Sequence, residues 1–151
     1  MTIIVDGFDG LKARIGQHLG YSDWLEATQD RINMFADATS DHQWIHVDVE
    51  RAKSGPFGGP IAHGYLTLSL VTPLWTEMIE VRGITMGVNY GLNRVRFPAP
   101  LPAGAKIRLG ATLAALTEVP GGVEALVDAV IESDAGAKPV CVAQVVYRYY
   151  A

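Results

Sequence analysis

From Ile107 onward, apolar and polar positions alternate with a period of two. Ile107, Leu109, Ala111 and Leu113 interleave with Arg108, Gly110, Thr112 and Ala114. Val123, Ala125, Val127, Ala129 and Ile131 interleave with Glu124, Leu126, Asp128, Val130 and Glu132. Cys141, Ala143, Val145, Tyr147 and Tyr149 do the same with Val142, Gln144, Val146, Arg148 and Tyr150. Successive side chains of a strand point to opposite faces, so each run predicts a strand with one face toward a core. Pro120-Gly121-Gly122 and Asp134-Ala135-Gly136 separate the runs and suit hairpin turns. A further strand, or a pair, is expected from Gly83 to Phe97, bounded by Pro98, Pro100 and Pro102, which cannot continue a central ladder.

The first half is patterned differently. Tyr21 to Thr28 predicts a short strand around Trp24 and Leu25, and Thr28 then serves as a helix N-cap. Ile32, Phe35 and Ala36 share one helical face, with Asp30, Arg31, Asn33 and Asp37 on the other. This helix is expected to end near Ala38, leaving Asp41 to His46 irregular. Gly55 to Pro60 must be a loop, and no Lys-Ser/Thr follows its glycines, which excludes a phosphate-cradling P-loop. From His63 to Glu80, apolar side chains point in nearly every direction, which predicts a helix buried over much of its circumference. Pro73 lies inside it and predicts a kink or break near Val71–Thr72. Helices first and strands last define an α+β chain, an antiparallel sheet wrapped around one long central helix.

At 151 residues the chain fits a single domain, residues 1–151. Its 49% apolar and 19% charged residues suit a folded globule. A net charge of −4 offers no basic face for nucleic acid, and Arg94 with Arg96 reads as a solvated strand face. One cysteine, Cys141, excludes an internal disulfide, fits a reducing compartment and reads as core filling. Asp6 and Asp9 replace the basic region of a signal peptide. The longest uncharged apolar stretch, from Ala62 to Thr76, falls short of the ~20 residues a membrane-spanning helix needs. The expectation is a cytoplasmic protein without membrane or nucleic-acid partners.

Candidate chemistry concentrates in two places. Asp41 and His46 lie in Thr39-Ser40-Asp41-His42-Gln43-Trp44-Ile45-His46, where one loop can bring a carboxylate and an imidazole to the same water. Downstream, Ile61-Ala62-His63-Gly64 opens the central helix with a glycine that lets a ligand approach backbone N–H groups. Together they read as a proton-transfer site beside an oxyanion pocket.

Phe35 to His46 resembles the hydratase-2 signature of the MaoC-like (R)-specific enoyl-CoA hydratases. Ile61-Ala62-His63-Gly64 and Asn89-Tyr90-Gly91-Leu92-Asn93-Arg94-Val95-Arg96-Phe97-Pro98-Ala99-Pro100 resemble that family's later segments, in the same order. The resemblance implies a hot-dog fold whose subunits pair their sheets into a homodimer. It implies that Asp41 and His46 hold one water and deliver it to C3 of a trans-2-enoyl thioester, giving the (3R)-hydroxyacyl product. The Gly64 N–H would bind the thioester oxygen, no cofactor is required, and the coenzyme A thioester is the substrate. His63 is expected to support the helix start. Trp44 is a candidate pocket residue, and Asn89 and Asn93 are candidates for hydrogen bonds near the site or for strand-end structural roles. The chain departs from the pattern at Ser40, Gln43 and Trp44, where the family has Gly, Asn and Pro; Trp44 bears on the loop's shape and the acyl pocket's width.

Three other readings compete with this one. A metal hydrolase would take ligands from Asp41, His42, His46, Asp48 and His63, but no Glu follows His42 as in His-Glu-x-x-His. A hot-dog acyl-CoA thioesterase would attack the carbonyl carbon instead of C3. A non-catalytic acyl-CoA-binding module would keep the fold without needing the dyad.

Overall fold

The computed structural model describes residues 1–151. The alternating second half forms β5 (Met86–Arg96), β6 (Lys106–Val119), β7 (Gly122–Ser133) and β8 (Cys141–Tyr150). With β2 (His18–Tyr21) they make an antiparallel sheet in the order β2-β6-β7-β8-β5, and β3 (Leu25–Glu26) joins the start of β6. The inward residues of β7, Val123 to Ile131 in alternation, are almost entirely removed from water. On the opposite face Arg108 pairs with Glu132, and Arg148 with Glu124 across β7 and β8. The β6–β7 turn needs glycine twice: Gly121 has φ +79°, and a Cβ on Gly122 would lie 2.0 Å from the Tyr149 carbonyl oxygen.

The central helix breaks, as Pro73 predicts, and differs from its expected form in two further respects. It is two pieces, α5 (Gly64–Ser69) and α6 (Val71–Met78), separated at Leu70. Pro73 explains the break: it falls in the first turn of α6, where its missing N–H leaves no bond unmade. The helix stops at Met78, because Ile79–Arg82 forms β4, which pairs in parallel with β1 (Ile3–Asp6). Only one side of the helix is buried: Leu66, Leu70, Val71, Leu74, Trp75 and Met78 enter the core, while Tyr65 is 72% exposed. The buried stripe rests in the curve of the sheet, and Trp75 Nε1–H donates to Tyr149 Oη at 2.7 Å.

The remaining elements are short: α1 (Gly7–Lys12), α2 (Gln29–Thr39), α3 (Trp44–Val47) and α4 (Val49–Lys53). The strand expected over Tyr21–Thr28 divides between the end of β2 and β3. A single cluster of 28 buried residues draws on the sheet and on every helix of more than five residues, so one core organises the chain. Cys141 lies in it, its thiol pushed up to about 11 by burial, which fits core filling. No helix is long and apolar enough to cross a membrane.

Candidate active site

Helix α2 delivers the first group. Thr28 caps it, its hydroxyl accepting from Arg31 N–H at 3.1 Å, as the sequence predicts. Its other end is closed by Ser40 at φ 61°, the single non-glycine residue in the left-handed region. That conformation turns the chain out of the helix, so Asp41 emerges with its carboxylate exposed to water.

His46 is not in an irregular segment, as the sequence reading expects; it lies in the one-turn helix α3 and is buried, with 7% of its surface exposed. The turn is too short to register as a periodic pattern. Two of its carbonyls are tied to other segments: Gln29 Nε2 donates to the His46 carbonyl at 2.8 Å, and Ile61 N–H donates to the Ile45 carbonyl at 3.0 Å. His46 Nδ1 lies 2.7 Å from the Ile61 carbonyl oxygen. A carbonyl only accepts, so Nδ1 carries the hydrogen and Nε2 keeps a free lone pair. Burial lowers the His46 pKa below its ordinary value, with a smaller push from His63; the Ile61 bond and Asp41 act in the opposite direction. The neutral ring is therefore favoured.

His63 closes the group. It is 2% exposed, stacks on the His46 ring at 3.8 Å between centroids, and meets Phe35 at 4.9 Å. Its Nε2 donates to the Asp41 carbonyl at 2.9 Å. One side-chain donor or acceptor atom from each of Asp41, His46 and His63 falls within 4.8 Å of the others.

Gly64 follows directly as the first residue of α5, and its N–H has no backbone acceptor. A Cβ there would lie 3.1 Å from the Phe97 ring. Gly64, Ile61, Thr67 and Phe97 line a pocket of about 310 Å³, and Ile61 is also the residue whose carbonyl accepts from His46. A second pocket, between Tyr65, Leu68, Leu92 and Phe97, continues along the exposed side of α5. Apolar walls beside a free N–H and an acid–base pair can seat a flat acyl group and move protons on it.

Other sequence candidates lie elsewhere. Trp44 turns its ring toward Gly55 and under the Arg51 guanidinium, 4.3 Å from the ring centroid. Asn89 accepts from Thr72 Oγ1 at 3.4 Å, and Asn93 Nδ2 donates to Gln144 Oε1 at 2.8 Å. Of the five candidate ligands of a metal hydrolase, His42 pairs with Asp37 at 2.8 Å and Asp48 caps α4, both away from the cluster, and Asp41, His46 and His63 are the three that converge. The residues that sequence reasoning passes over are Gln29, Phe97 and the Ile61 carbonyl. A backbone acceptor leaves no trace in residue identity, and Gln29 reads simply as a first-turn helix residue.

Residues 11–133 match the family model described as "MaoC like domain". The 3-hydroxyacyl-thioester dehydratase Z of Mycobacterium tuberculosis is 49% identical over 142 residues, covering 93% of this chain and 94% of that protein. Among solved structures, a monoamine oxidase regulatory protein from Archaeoglobus superposes with a TM-score of 0.79 at 24% identity, covering 99% of this chain and 97% of that one. An (R)-hydratase from A. caviae involved in PHA biosynthesis gives 0.72 at 22% identity, covering 88% and 94%. The two structures establish the shared fold, an antiparallel sheet curled around a helix.

Proposed function

This chain belongs to the MaoC-like domain family, and from that premise we propose that it is a hydro-lyase acting on 3-hydroxyacyl thioesters. In the hydration direction it adds water to a trans-2-enoyl thioester to give the (3R)-hydroxy product; in reverse it eliminates that water. The observation that carries the reading is the convergence of Asp41 and His46 within 4.8 Å, next to the unengaged N–H of Gly64.

The chemistry follows from which lone pairs are free. A water donating its hydrogens to the Asp41 carboxylate and to His46 Nε2 presents its own lone pair to C3. Asp41 takes one proton as the oxygen–C3 bond forms, and the C2–C3 π electrons move onto the thioester oxygen. The Gly64 N–H donates to that oxygen, where negative charge develops. The dyad then returns the proton to C2, with His46 as the shuttle, and the enolate collapses to the thioester. Every proton comes from water, so no cofactor is called for, and coenzyme A or another thiol carrier enters only as part of the substrate.

The active form is a homodimer. β5 is the edge of the sheet, and Val88, Tyr90 and Leu92 on it are exposed, as is Tyr65 on α5. A long unpaired edge with an apolar flank calls for a covering partner, and a second copy offers the same edge. The test of the activity is loss of enoyl absorbance when the protein is mixed with crotonyl-CoA, scored against release of free thiol. Hydration without thiol release supports the reading; thiol release without hydration replaces it with thioester hydrolysis.

A further inference from the structure

We propose that His63 is a positioning residue for the dyad, a single buried ring that fixes the Asp41 main chain and the His46 side chain relative to each other and to Gly64. The inference rests on the hydratase reading above and adds a residue to it. His63 touches all three groups: it donates Nε2–H to the Asp41 carbonyl at 2.9 Å, stacks on His46 at 3.8 Å with ring planes 22° apart, and is bonded through its peptide to Gly64.

The loop that carries Asp41 has little else to hold it. Asp41 is exposed, and the residue before it is in the left-handed region, which an L-residue occupies only at a cost in strain. The bond from His63 crosses 22 positions of sequence to tie that loop to the start of α5. The orientation of His46 is fixed from two sides, by the Ile61 carbonyl along its edge and by the His63 ring on its face.

His63 also bears a mark of function over stability. Its Nδ1 is buried with no hydrogen-bond partner, and the chain's other such side-chain atom, Gln29 Oε1, belongs to the residue that anchors the His46 turn. Native proteins leave few buried polar atoms unpaired, because each forfeits its hydration without a replacement bond. If His63 served packing alone, a phenylalanine would fill the same space beside Phe35 without that cost. What phenylalanine cannot supply is the donor to Asp41.

Three variants and two readouts separate positioning from packing. His63→Phe keeps the ring and removes the donor, and it should lower kcat about 100-fold, the scale of a 1 Å misplacement, with KM little changed. The titratable groups acting on His46 are Asp41 and His63, and His63 pushes the His46 pKa down. The acid limb of the pH–rate profile should therefore move to higher pH in His63→Phe. His63→Gln offers an amide N–H to the Asp41 carbonyl and should recover most of kcat while keeping the shifted limb. His63→Ala removes both ring and donor, so it should keep the shifted limb and recover none of the lost kcat. Nitrogen-15 NMR of His46 reads the same claim without activity: its titration should move up in His63→Phe. Wild-type kcat and an unmoved His46 titration in folded His63→Phe would overturn the proposal. If His63→Phe does not fold, His63→Gln decides: kcat as low as that of His63→Ala would overturn it. If the wild-type chain hydrates no thioester, the functional reading fails, while the NMR titration still judges the role of His63.

Discussion

His46 lies almost out of water with one nitrogen committed to a backbone carbonyl, and that placement sets how the molecule responds to acid. Burial depresses its pKa relative to the ordinary histidine value of about 6.5. A depressed histidine pKa means the unfolded chain takes up protons before the folded one. Its stabilising contribution is complete above about pH 6.5 and is lost as pH falls through the folded-state value. The melting temperature should thus decline on acidification below pH 6.5, and less so in His46→Gln. In the proposed mechanism the Nε2 lone pair accepts from water, so kcat/KM should keep its plateau to below the ordinary histidine pKa. Asp41→Asn and His46→Gln should each lose about 10²–10⁴-fold in rate, the range for a positioned acid–base group. Their stabilities should differ, because Asp41 is exposed and His46 is not. Chemical denaturation should find Asp41→Asn unchanged and His46→Gln weaker by about 1–3 kcal/mol, the penalty of disturbing a buried hydrogen bond. Neither the burial of His46 nor its carbonyl partner could be read from the sequence, since both arise from Ile61 folding back onto a turn fifteen positions earlier.

Among the elements, legibility tracks length and contrast. β6, β7 and β8 run 14, 12 and 10 residues with clean alternation, and they form where the pattern places them. β1 and β4 have four residues each and pair across more than seventy positions, so neither shows a period long enough to detect. The break at Leu70 is visible in Pro73, three residues on, whereas the stop at Met78 is not visible in any single residue. It depends on β1 being available to pair with Ile79–Arg82. The turn after α2 gives a direct test of local strain. Ser40→Gly relieves a left-handed serine but adds unfolded-state freedom, so equilibrium unfolding should show a gain of about 0.5 kcal/mol. At the start of α5, Gly64→Ala would press a methyl 3.1 Å from Phe97 and shift the ring that walls the pocket. Its kcat should fall about tenfold or more with the fold intact by circular dichroism, the response expected of a small displacement at a reacting centre.

For the whole molecule, one side of the central helix and the β5 sheet edge remain uncovered, and this is where the sequence reading of a helix buried over much of its circumference departs from the structure. Both observations agree if the helix is buried by two chains, with Tyr65 and the β5 residues facing a second copy. Sedimentation at micromolar concentration should give about twice the 16.3 kDa chain mass. Leu92→Asp, which sets a charge on the exposed apolar flank of β5, should shift the mass toward the single chain. A wild-type monomer with full activity would remove the dimer from the account. Asp41, His46 and Gly64 could be singled out from two short sequence segments; the contacts of His63 with them could not, because they depend on the approach of three segments.

Stereochemistry tests the central claim most directly, since it reads the geometry of the site as well as its activity. If Asp41 and His46 hold one water on one face of the enoyl group while Gly64 pins the thioester oxygen, hydroxyl and proton arrive from the same side. Hydration of crotonyl-CoA in deuterated water should therefore give (3R)-hydroxybutyryl-CoA by syn addition. A dehydrogenase specific for the (3S) product should then find almost no substrate. Rapid NADH formation in that coupled assay, or anti addition of deuterium, would contradict the account.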